Sequence, residues 1–592
     1  MSGYRAAWMA GLVAILLFPA QIRAVELEET IWDFGDASLG DQICLVSVLL
    51  RNDAPEPFEA AVELSPSFVG LGSSGTVLVE QVFIAPNSSR WVQFYPYRPS
   101  HMVEWVITCG RRERFDLPAV KTSSNFSNNE TVKRPMVAWL VGDNLASSAR
   151  GAVPTFPAEL FPATVTATNG LHVAILNEDP RWDQPRRVAF LQWLHRGGTL
   201  HLYHGVDGAF PTFGGELAVL NNDSPTQQLG QGSIIRHAQS IGGVKLADIV
   251  PDRPKDEKSA QEIEQTRYNN YGYGSYFSND EIFRKLRELV APQHQWPLIW
   301  LASIVYLLLI FPGGYLLGRA KRDFRLVMGL QIGSALLFTV LFSIIGARGY
   351  NETSRNLGIG VARPVGSNQW ELASWNNVFA TSGGDYTISF PKSGGIFATG
   401  VDYGQSLRGL INNGVEGKYL VDIPPYSSCT FLSQSIIEQP GIDMQIANWD
   451  PENPRRLECQ VNSGWPADAS RAFVYYDKIF YTMTHDSGKL TVLQTTSPND
   501  NQHSFRPWGG RFDRQDPEED SAVWLNRRLL ELEEEIAATI GPRRIQNGER
   551  LDDKAIVLIP APMPETAYPN SGVTGKPAGR ILYCLDLKVP GK

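Results

Sequence analysis

The 592-residue chain has no basic tract: 53 Lys and Arg face 62 Asp and Glu, for a formal charge of −9. A polyanion binder gathers positive charge on one face, so nucleic acid is excluded as an expected partner. No HExxH, GxxxxGK[ST], GxSxG or CxxC occurs. The local signatures of zincins, P-loop nucleotide binding, serine hydrolases and CxxC redox sites are therefore missing, and no cofactor is implied. Cysteine is scarce: five residues, Cys44, Cys109, Cys429, Cys459 and Cys584, with none between 110 and 428. That density excludes a disulfide-dense scaffold. The nine histidines have no metal-ligand spacing.

Apolar residues are not scarce. They make up 43 % of the chain, with 15 Trp, 20 Tyr and 27 Phe, enough for several buried cores and against disorder. The length calls for three or four folding units. Residues 1–24, MSGYRAAWMAGLVAILLFPAQIRA, combine Arg5, an apolar run and Pro19 before Ile22-Arg23-Ala24. This is the pattern of a secretory signal peptide; the alternative is an uncleaved anchor, for which the apolar core is short. Export permits disulfides, so Cys44 with Cys109 and Cys429 with Cys459 are candidate pairs; the alternative is five small buried residues.

Two uncharged runs of 22 residues, 297–318 and 326–347, are each long enough to cross a bilayer at about 1.5 Å per residue. The loop between them, 319–325, carries Arg319, Lys321, Arg322 and Arg325 against Asp323, which puts it in the cytoplasm and both flanks outside. Gly314 and Gly318, and likewise Gly329 and Gly333, are four apart. Such pairs permit close helix approach, either within the hairpin or as a dimerisation face. Neither span holds an ionisable residue, which argues against an ion or proton pathway.

Outside the membrane, residues 25–130 alternate β-rich runs with turn residues, as in an immunoglobulin-like sandwich. Residues 131–250 give strand–helix–strand order, hence an α/β layer with a parallel sheet. Residues 251–296 form a juxtamembrane connector ending in a helix that Asn279 begins. Residues 348–592 are again mostly β, with one helix opened by Asp516-Pro517 and closed by Gly541-Pro542, burying Val523, Leu529, Leu530 and Ile536.

The segment GGTLHLYHG, 197–205, holds His201 and His204 just before Asp207. On a strand these two histidines point to opposite faces, so they do not chelate together. His204 and Asp207 remain candidate ligand-binding residues, since the loop after a strand's C-terminal end is where α/β folds place ligands; the alternative is a plain turn.

The run LHVAILNEDP…QPRRVAFLQWLHRGGTLHLYHG resembles the class I glutamine amidotransferase-like fold. In that family the strand leads to an elbow bearing a nucleophilic Cys. The matching positions here are Tyr203, His204 and Gly205, so the nucleophile is missing and the activity is not implied. The whole order, with YLLLIFPGGYLLGRAKRDFR, GARGYNETSR and RRLECQVNSGWPADASRAFVYYD, is similar to a group of largely uncharacterised bacterial envelope proteins. That likeness implies an inner-membrane location and an assembly role beside MoxR-type ATPases and von Willebrand-type membrane proteins. The expected fold is multidomain α/β plus all-β: N-terminal β-sandwich, amidotransferase-like α/β domain, transmembrane hairpin and C-terminal β-rich domain. The expected function is a non-enzymatic, membrane-anchored module binding envelope proteins or a ligand; the alternative is a hydrolase or sensor using the α/β cleft.

Overall fold

A computed structural model describes residues 25–35, 42–68, 72–73, 76–98, 104–110, 113–118, 136–142, 153–242, 244, 246–249, 279–290, 296–321, 324–350, 353–390, 395–399, 407, 409–413, 417–450, 456–477, 479–496, 521–546, 551 and 554–589. The signal peptide, most of the connector, Arg322 and the Asp516-Pro517 helix start lie outside these residues. What is described is mixed α/β, with long sheets and two apolar helices.

The segments before and after the hairpin do not form separate β units. Strands Glu26–Trp32, Val46–Asn52 and Ser88–Phe94 make one antiparallel sheet. Facing it is an eight-stranded sheet whose first half comes from residues 58–116. Its second half, Gly409–Asn412, Lys418–Ile423 and Gly384–Ser389, comes from beyond the hairpin. The join is parallel, Gly409 opposite Thr76 and Ile411 opposite Leu78. One core serves both halves: Val48, Val62 and Ile107 pack with Ile388, Phe397 and Phe431. The boundaries expected at 130 and 348 are therefore crossed by hydrogen bonds. The reason is that Thr76–Ile84 presents an edge that its own segment does not cover.

The largest sheet has eleven strands. Two of twelve residues each, Gln369–Ala380 and Ser427–Glu438, run through the molecule side by side. One end, with Val378 and Phe431, lies in the sandwich core; the other, near Val365 and Ile436, meets the α/β layer. At its far side the sheet curls, so that Met444 and Ile446 share a core with Tyr583 and Leu585.

Helices Asn279–Val290 and Ser521–Gln546 cover the other face of this sheet through Ile282, Leu286, Leu529 and Leu532. The second of them departs from expectation. It runs through Gly541-Pro542 instead of stopping there, because Gly541 lies against the Tyr475 ring and Arg544 is fastened to Asp586 by hydrogen bonds of 2.5 and 2.7 Å. Its inward stripe is Trp524, Leu525, Leu529, Leu532, Ile536 and Ala537, while Val523 is exposed and Leu530 only half-buried.

All five cysteines are buried free thiols, so the candidate disulfides are not formed. Cys429 and Cys459 belong to different cores. Cys44 and Cys109 share one, but the Cys44 thiol points to the Pro96 carbonyl at 3.4 Å. Burial pushes the thiols of Cys109, Cys429 and Cys459 up to about 12, which leaves them protonated and unreactive.

Candidate functional site

The α/β layer is a six-stranded sheet in the order Thr155–Pro157, Val137–Val141, Val173–Leu176, Thr199–His204, Gly232–Ser240, Thr226–Leu229. The first five are parallel and the last is an antiparallel edge. Val137–Val141 lies between its two successors in sequence, so the switch point of the topology falls between it and Val173–Leu176. Open α/β sheets bind ligands in the crevice there, outside the strands' carboxyl ends.

The helix Gln184–His195 is positioned by Asp183, whose carboxylate accepts from the Arg186 N–H, and by Pro185 in its first turn. Phe190, Trp193 and Leu194 anchor it to one face of the sheet. Gly198 follows because a Cβ there would fall within 2.6 Å of the Trp193 ring.

At the carboxyl ends of the two strands that flank the switch point, polar side chains bond within the chain. Glu178 accepts the Gly142 N–H at 2.8 Å, and Asn177 accepts the Trp139 indole N–H at 3.0 Å. The loop after Thr199–His204 is a tight turn: Gly205 N–H donates to Ala209 O at 2.8 Å and Gly208 N–H to Gly205 O at 3.1 Å. The two candidate ligands each have a partner of their own. Asp207 accepts the Ala209 N–H at 3.1 Å, while the His204 ring stands edge-on to Phe210, centroids 4.5 Å apart. Asp207 serves as a turn former here and His204 as a packing group. Among the described residues no three His, Cys, Asp or Glu side chains are placed to hold a metal.

The opposite face of the sheet carries a pair that the sequence reading missed. His201 is buried, and its Nδ1 lies 2.8 Å from Nε2 of His237 on the neighbouring strand. The Tyr203 ring stacks on His237 at 4.5 Å. At that separation one nitrogen donates and the other accepts, so at least one ring is neutral, and burial favours the neutral form of both. Burial, then His237, lowers His201 to about 4, and burial lowers His237. Tyr203, whose hydroxyl is raised by burial and then by the charge of Asp248, stacks on this pair. The sequence signal was the histidine of GSIIRHA, His237, but the parallel register that places it opposite Tyr203 is not written in either strand alone.

These imidazoles take up protons more readily in the unfolded chain. Their contribution to stability is therefore full above pH 6.5 and is lost as pH falls toward 4. Amide exchange in Thr199–His204, corrected for intrinsic rate, is expected to accelerate between pH 7 and pH 5. A double His201→Gln, His237→Gln variant is expected to lose that dependence.

The chain matches no protein-family model and no curated protein.

Proposed function

We propose that the chain is a non-enzymatic, membrane-anchored bacterial envelope protein. Its hairpin holds an extracytoplasmic body at the inner membrane, and that body binds other envelope proteins. The observation that carries this reading is the interlocking of the two flanks. Thr76–Ile84 pairs with Gly409–Asn412, and the helix Asn279–Val290, just ahead of the first span, packs on Gln369–Ala380 and Ser427–Glu438, which follow the second. Segments so joined have to lie on one side of the bilayer. The basic residues Arg319, Lys321, Arg322 and Arg325, all at the turn of the hairpin, favour the cytoplasm for the opposite side. Both spans expose their apolar side chains, with Trp300 exposed near the outer end of the first.

The α/β layer supports an amidotransferase-like unit that keeps the framework without the chemistry. No cysteine lies between residues 110 and 428, and Glu178, Asn177 and the 205–209 turn are engaged in hydrogen bonds within the chain. The hydrolase alternative finds no support in this geometry.

Single-cysteine labelling tests the arrangement, and the buried native thiols keep the background low. A membrane-impermeant maleimide is expected to modify Val206→Cys in intact spheroplasts, since Val206 is fully exposed on the turn. Lys321→Cys is expected to react only after permeabilisation. The reverse order, or equal labelling of both, would refute the topology. Cross-linking through Val206→Cys followed by affinity purification then identifies neighbours; a chain that never cross-links would count against a partner-binding role.

A further inference from the structure

The two glycine pairs of the hairpin have different surroundings. A Cβ on Gly318 would come within 3.1 Å of Val327 Cγ2, and one on Gly314 within 3.9 Å of Val327 Cγ1. Gly329 and Gly333 have nothing within 4 Å of the corresponding position. The first pair therefore packs the two spans together, and the second faces outward.

Just before the packed pair, the first span opens into a π-turn over Leu309–Gly313 around Pro312, which has no N–H to give. A groove of about 640 Å³ lies along this stretch. Its floor is Gly314 and Gly318; its walls are Phe311, Tyr315 and Val327; its polar groups are Arg319 and Gln331. The volume is within the roughly 300–1,000 Å³ of small-molecule sites.

We infer that this groove holds one anionic phospholipid of the cytoplasmic leaflet. The inference rests on the membrane reading above. Charge is the first reason: Arg319 stands at the groove's loop end, and Asp323 is the only acidic residue between Leu289 and Tyr350. Depth is the second. Arg319 is two residues from the helix end at Lys321, whereas Gln331 is seven residues into the second span, at about 1.5 Å per residue. A lipid with its phosphate on Arg319 thus brings its ester carbonyls down to Gln331, whose amide donates to them. Unsatisfied amides are costly in hydrocarbon, and the exposed Gln331 side chain has no described protein partner to relieve that cost. One acyl chain then runs over the glycine floor toward Phe311.

The test is native mass spectrometry of the full chain in mild detergent, titrated with phosphatidylglycerol or phosphatidylcholine. One phosphatidylglycerol per chain is expected to bind in preference to phosphatidylcholine. Arg319→Gln is expected to weaken it about fivefold, the size of one basic contact to an anionic headgroup. Arg325→Gln, which removes the same charge outside the groove, is expected to leave it unchanged. Gly314→Leu is expected to abolish binding by filling the floor, since a Cβ there makes only ordinary contact with Val327. Equal weakening by Arg319→Gln and Arg325→Gln, no preference between the lipids, or displacement by millimolar inorganic phosphate would overturn the site. Alkaline carbonate extraction separates the two readings: a chain that leaves the membrane refutes anchoring itself, whereas one that stays but shows no lipid preference refutes only the groove.

Discussion

Arg196→Met is expected to destabilise the protein by about 3–5 kcal/mol, the cost of leaving a buried charge without its partner. The Arg196 guanidinium sits just past the helix Gln184–His195 and bridges the α/β layer to the eleven-stranded sheet. It donates to Glu371 at 2.6 Å, to Thr168 Oγ1 at 2.8 Å and to Asn169 Oδ1 at 2.9 Å. The side chains are only 8 % and 5 % exposed, so water does not replace a lost partner. Thr166 adds a hydrogen bond to the other Glu371 oxygen at 3.2 Å. The double variant Arg196→Met, Glu371→Leu removes both charges and is expected to recover most of the loss. Thermal unfolding in detergent reads both; a single variant within about 1 kcal/mol of the parent would mean that the pair is solvated.

The second large effect is a pH dependence of the long C-terminal helix. Glu533 is fully buried against the sheet, and burial pushes its carboxyl up to about 8 although Arg580 reaches it at 3.0 Å. The folded state thus holds a proton that the unfolded state releases near pH 4.5. Stability is accordingly greatest at low pH and falls as pH climbs from about 4.5 to 8, on the order of several kcal/mol at about 1.4 kcal/mol per pH unit. Asp586 acts in the opposite sense. Burial raises it, but the charge of Arg544, its two hydrogen bonds and the charges of Lys554 and Arg363 override this and hold it below the ordinary carboxylate range, so its contribution is lost in acid. The helix is expected to dock most firmly in the mildly acidic range between the two. Glu533→Gln is expected to flatten the alkaline side of a melting-temperature profile; an unchanged slope from pH 5 to 8 would rule out this carboxyl as its source.

Much of the local structure was legible in the sequence, and its limits have a common physical cause. Two uncharged runs give apolar helices, because length and hydropathy are local properties. The end of the α/β helix before Gly197-Gly198 follows from its own residues, since breakers act on their neighbours, whereas its start, capped by Asp183 with Pro185 in the first turn, was not read from the sequence. The pairing of Thr76 with Gly409 was not legible: each strand carries an ordinary β pattern, and nothing in either names its partner. The helix end at Gly541-Pro542 was misread for the same reason, since Tyr475 and Asp586 hold that turn from distant segments. At the candidate site, alternation along Thr199–His204 is what separates His201 from His204 in the sequence. It could not supply His237, which arrives only through the register of the next strand.

The parallel seam between Thr76–Ile84 and Gly409–Asn412 also bears on how the protein is made. On the proposed topology the ribosome delivers the first strand to the exterior well before the hairpin is threaded into the bilayer, and the second strand crosses later still. Synthesis at about 5–20 residues per second leaves the early strand waiting for many seconds with an open edge. During that interval it is a target for periplasmic proteases and for chaperones that grip exposed strands. The hairpin then does more than tether the finished body: until it has inserted, the seam lacks its other half.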